Sequence, residues 1–105
     1  MKPIKTSVWD PAKYIETDED AAIYLADVFE TGNPDLIATA IGDVARARGM
    51  SKVASDADRG RESLYKSLSR GGNPSFETIV KVLASLGFGL RPARDAGNAR
   101  THAEA

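Results

Sequence analysis

What most restricts this chain is its punctuation. Two pairs, Asp10–Pro11 and Asn33–Pro34, and glycines at 32, 49, 71, 72 and 87 cut it into short pieces. Asp or Asn accepts hydrogen bonds from the open amides of a helix's first turn, and Pro at the first helical position lacks an N–H that has no partner there. Gly beyond the last turn takes the left-handed conformation that ends a helix. Between these marks apolar residues recur three and four apart, the helical period. The chain reads as all-α, a string of five or six short helices in one domain over residues 1–94.

The spacing predicts a short first helix after Asp10, with Trp9 and Tyr14 at staple distance across its start. A second helix begins at Thr17 or Asp18 and buries Ala22, Leu25, Ala26 and Phe29. A third follows the Asn33 cap, with Ile37, Ala40, Ile41 and Val44 as its stripe and Arg46 and Arg48 in its last turn. A brief helix stands behind a Ser51 cap. Another covers residues 61–69, is held by Leu64 and Leu68, and closes at Gly71 and Gly72. The last is capped by Ser75 and turns Phe76, Ile79, Val80, Leu83 and Leu86 inward. Alternation at Phe88 and Leu90 predicts a short C-terminal strand. Residues 95–105 are small and polar and are expected to be a disordered tail.

Charge is segregated along the chain. Residues 1–45 hold three basic and nine acidic side chains, a net −6, whereas residues 46–94 hold ten basic and four acidic, a net +6. Such a split points to two surfaces with different partners, or to halves that attract each other. Cys is absent, so there is neither a disulfide nor a thiolate metal site, and the composition fits a reducing cytoplasm. The first residues have Pro and charges where a signal peptide has an apolar run. No apolar run approaches the ~20 residues of a membrane span. With no Cys and a single His, His102, in the tail, most nucleophile and metal constellations are excluded, and no enzyme or cofactor is expected.

Two short helices joined by a tight turn between longer ones are the helix-turn-helix pattern. In that pattern the second helix enters the major groove and the first braces on the backbone. The stretch "RESLYKSLSR" fits the second role. Leu64 and Leu68 anchor it, and Arg61, Glu62, Ser63, Tyr65 and Lys66 are left for base edges, where Arg forks onto guanine and Glu accepts from cytosine. Tyr65, beside Leu64, equally fits a place in the core. Arg46, Arg48, Ser51, Lys52, Arg59, Arg70 and Lys81 are the candidates for phosphate contact, although Arg46 and Arg48 also simply complement a helix end. Ala54 is small enough for close packing of the two helices. The turn departs from the usual pattern at three places. Asp58 stands where Gly is usual, Arg59 where an apolar residue is usual, and Gly60 where Ser or Thr caps.

The runs "AIGDVARARGMSKVA" and "RESLYKSLSRGGNPSFETIVKVLASLG", with "DPAKYIETDEDAAIYLADVFETGNPDLI" before them, resemble the addiction-module antidote proteins, the Xre-type (HigA-like) helix-turn-helix antitoxins of bacteria. The likeness covers about residues 8–90. It implies a lambda-repressor-like helical domain, usually a homodimer. It also implies that the protein binds double-stranded operator DNA to repress its own operon and neutralises a toxin of the RelE/ParE superfamily. One recognition helix reads few bases, so a dimer on a palindrome is expected, with Leu86, Phe88 and Leu90 at the dimer contact. Asp18, Glu19 and Asp20 are the candidates for toxin binding, with Trp9, Tyr14, Ile15 and Tyr24 serving as its apolar anchors or as the chain's own core. Helix-dipole stabilisation accounts for the same acids. A prophage-type regulator without a toxin, or an adaptor that has lost DNA binding, are the alternatives.

Overall fold

The computed structural model describes residues 10–95. A 3₁₀ turn, Pro11–Tyr14, precedes five α-helices: α1 (Asp18–Phe29), α2 (Pro34–Arg48), α3 (Met50–Asp56), α4 (Arg61–Ser67) and α5 (Phe76–Ser85). Four of the starts come from side-chain caps. The Asp10 carboxylate accepts from the Ala12 amide at 3.1 Å. Thr17 and Asp20 form a reciprocal capping box. Asn33 accepts from the amides of Asp35 and Leu36, at 2.9 and 3.1 Å. Ser75 accepts from the Thr78 amide at 3.1 Å. Each such cap contributes about 1 kcal/mol to its helix.

Several expectations are corrected. The first helix is a single 3₁₀ turn, and Trp9, its staple partner, lies outside the described residues, as does the tail from residue 96. Ser51 is inside α3, whose cap is Gly49 without a side-chain bond. The helix expected over residues 61–69 ends at Ser67, two residues early. Helix α1 is rotated by one residue: Ala21 and Leu25 are buried with Tyr24 and Val28 beside them, while Ala22 and Ala26 are exposed. In α5, Thr78, Val82 and Leu83 are buried, whereas Phe76 is 71% exposed and Val80 faces outward. Burying Thr78 costs little because its hydroxyl accepts from Ser75 Oγ at 2.9 Å. No strand occurs among the described residues. The Phe88 amide donates instead to the Leu83 carbonyl at 2.8 Å, which closes α5 and leaves no ladder for a strand to join.

Helix α2 is the centre of the packing. It contacts the 3₁₀ turn, α1, α3 and α5, and α3 in turn packs on α4 and α5. Ile41, Val44, Val53, Leu64 and Val82 are the largest fully buried side chains, so the core lies where these helices meet. Gly42 permits the closest approach. A Cβ there would lie 2.9 Å from the Leu68 carbonyl oxygen and 3.1 Å from its Cβ. A helix-interior Gly costs about 1 kcal/mol against Ala, and here it lets Leu68, just past the end of α4, sit directly on α2.

Candidate nucleic-acid interface

Helices α3 and α4 and the turn between them have the helix-turn-helix arrangement. Ala54 and Ala57 are buried at the joint. Asp58 takes φ of 58°, the left-handed region that Asp enters more readily than most residues. The Arg59 amide then donates back to the Ala54 carbonyl at 2.9 Å, and Gly60, extended, opens α4 without a side-chain cap. The half-buried Arg59 side chain is directed to α5. Its Nε donates to Thr78 Oγ1 at 3.3 Å, and Glu77 lies 3.8 Å away. Arg59 thus makes polar contacts to α5 where an apolar residue is usual.

Leu64 and Leu68 are 1% and 2% exposed and fix α4 to the core. Its end is sealed by the glycine pair. A Cβ at Gly72 would fall 2.2 Å from the Lys66 carbonyl oxygen, inside any real contact. Outward from the two leucines, Arg61, Glu62, Ser63, Lys66 and Arg70 are exposed. None of these side chains has a hydrogen bond or ion pair among the described residues. Tyr65 is half exposed and borders a cleft of about 400 Å³ shared with Asp10, Thr39, Arg46 and Ser69.

The candidates for phosphate contact fall otherwise. Arg46 forks onto Asp10, with both bonds at 3.1 Å, and donates to Asp43 at 2.5 Å. Tyr24 Oη donates to the other Asp43 oxygen at 2.6 Å. This chain of four side chains ties the 3₁₀ turn, α1 and α2 together. The Arg46 bonds, with the Ala12 amide, hold the Asp10 carboxyl below the usual carboxylate range. The Tyr24 hydroxyl is pushed up, first by burial and then by its bond to Asp43. Arg48 pairs with Asp18. Lys52 pairs with Asp56 at 3.0 Å, and Lys81 with Glu77 at 3.0 Å. Ser51 is exposed on the first turn of α3. The base-edge candidates on α4 are thus brought together without partners, while Arg46, Arg48, Lys52, Arg59 and Lys81 are engaged within the chain. Asp43 was absent from the sequence reading. A carboxylate inside an apolar stripe, three residues before Arg46, was the available signal.

A model of the protein family described as "Probable addiction module antidote protein" matches residues 5–94. This chain belongs to that family. An uncharacterised protein of Haemophilus influenzae (strain Rd) is 45% identical over 78 residues, covering 74% of this chain and 80% of the relative. No solved structure matches.

For an antidote protein the acidic front is the second region of interest. Asp18 is occupied by Arg48. Asp20 accepts from the amides of Glu16 and Thr17, which lowers its carboxyl pKa. Glu19 is exposed with no ion pair among the described residues. Of the expected dimer residues, Leu86 and Phe88 are half-buried against the chain's own core and Leu90 is 41% exposed. Among the described residues no helix is long and apolar enough to cross a membrane, and no acidic, His or Cys cluster is suited to a metal ion.

Proposed function

We propose that this antidote protein is an Xre-type (HigA-like) antitoxin that binds operator DNA through α4, represses its own operon as a homodimer, and neutralises a toxin of the RelE/ParE superfamily. The observation that carries the DNA part is the contrast on α4. Two leucines are spent on the core, and Arg61, Glu62, Ser63, Lys66 and Arg70 stand exposed without partners within the chain. An ordinary solvated face pairs such charges along a helix, as Lys52 and Lys81 do elsewhere in this chain.

The test is a gel shift on the DNA upstream of its own gene, repeated across a salt series. Each phosphate neutralised is expected to contribute about −0.9 to the slope of log affinity against log salt. Arg61→Ala is expected to cost ~1–3 kcal/mol and to relax specificity at one base. Arg70→Ala is expected to weaken all sequences alike. Binding indifferent to salt would remove the electrostatic premise. Co-purification with the product of the adjoining gene tests the toxin part.

A further inference from the structure

The side of the molecule formed by the 3₁₀ turn and α1 carries an apolar feature that the core does not absorb. Tyr14 and Ile23 are 64% and 65% exposed, and with Ile15 and Tyr24 they border a groove of about 260 Å³. Asp20 and Asp27 stand on its rim. Ile23 lies at the middle of the solvent face of α1. Glu19 is one turn before it and Asp27 one turn after it, and both are exposed with no ion pair among the described residues. Residues 10–45 contain nine carboxylates against one basic side chain, Lys13, and with Asp10, Asp18 and Asp43 paired to Arg46 and Arg48 six carboxylates are left.

Those charges select the occupant. DNA is repelled. A second copy docking by a two-fold contact places the same patch on both sides, so the rim carboxylates meet carboxylates. A basic polypeptide has the complementary charge, and its apolar side chains can enter the groove. We propose that the Tyr14–Ile23–Tyr24 groove is the docking site for a cationic segment of the toxin, one that presents an apolar residue flanked by Lys or Arg. This rests on the antitoxin reading above. It also moves the site from Asp18 and Asp20, which are engaged within the chain, to Ile23 as the apolar anchor, with Glu19 and Asp27 as the charges that attract the partner.

The experiment is titration calorimetry and stopped-flow association of the full chain with the purified product of the adjoining gene. Ile23→Ser and Asp27→Lys alter exposed side chains, and a gel shift on the upstream DNA checks that each variant keeps its fold. Ile23→Ser is expected to weaken the complex by ~30-fold or more, the effect of truncating an interface anchor. Asp27→Lys is expected to slow association about tenfold at low salt and much less at high salt. If wild type binds and both variants bind as tightly and as fast, the groove is not the site, though the antitoxin reading stands. If Phe76→Ser weakens binding while Ile23→Ser does not, the partner sits on the apolar surface around Phe76 and the proposal is overturned. If wild type itself does not bind, both the reading and the groove fail.

Discussion

Arg46 separates two accounts of the same side chain. If it serves mainly to contact a phosphate, Arg46→Ala weakens DNA binding and leaves folding alone. The structure makes it a strut between Asp10 and Asp43. Its own side chain and that of Asp10 are each about one-third exposed, whereas the Asp43 side chain is 8% exposed. The exposed half of the strut contributes at most ~1 kcal/mol, as solvent-screened pairs do. The buried half contributes more. Removing the guanidinium leaves the Asp43 carboxylate with Tyr24 as its remaining side-chain partner, and losing a bond to a buried charge costs about 1.5–3 kcal/mol. The total expected loss is about 2–3 kcal/mol, which in a domain this size lowers Tm by roughly 10–20 °C. Urea melts at pH 7 measure it. Asp43→Ala in the Arg46→Ala background is expected to cost less than in wild type, because the stranded charge is gone. An Arg46→Ala variant within 0.5 kcal/mol of wild type, with strictly additive behaviour, would refute the strut.

Gly42→Ala places a Cβ 2.9 Å from the Leu68 carbonyl; the forced shift is expected to cost ~1–3 kcal/mol despite the better helix propensity of Ala, and a stabilised variant in urea melts would contradict it. Asp10 has its pKa lowered on folding, so its contribution is present above the ordinary carboxylate range and is lost as pH falls through the folded value. Asp10→Asn is therefore expected to be less stable than wild type at pH 7, with the gap closing as pH falls below the ordinary carboxylate range in a pH series of urea midpoints. At Asp58, with φ of 58°, Asp58→Val is expected to lose about 1–2 kcal/mol and Asp58→Gly to be tolerated, by the same melts.

Helix starts were legible because caps are local chemistry. Asp10, Thr17, Asn33 and Ser75 act on amides two or three residues away. The helical class and the two anchoring leucines followed from the same local patterns. Which side of a helix is buried was less legible. In α1 the alternatives Ala21 and Ala22 differ by one residue, and the choice is set by Tyr24 reaching Asp43 on a different helix. In α5 the decision lies with Thr78, whose burial depends on hydroxyl partners that no hydrophobic period records. The candidate site shows the same division. The residues free on α4 could be named from the sequence. Asp10, which shares Arg46 with nearby Asp43, and Asp18, which occupies Arg48, come from 36 and 30 residues away, and charge counts along the chain suggest attraction between its halves without naming such pairs.

The seating of α4 bears on how this protein diversifies. The helix is fastened by Leu64 and Leu68 from within and by the Gly42 and Gly72 approaches at its end. Its outward residues carry no contacts that hold the fold together. Glu62, Ser63 and Lys66 can therefore be rewritten at negligible folding cost, within the ±0.5 kcal/mol typical of surface changes. On the DNA-binding reading proposed above, duplicated copies of such a gene could part company in what they recognise after a few substitutions, with the scaffold passed on intact.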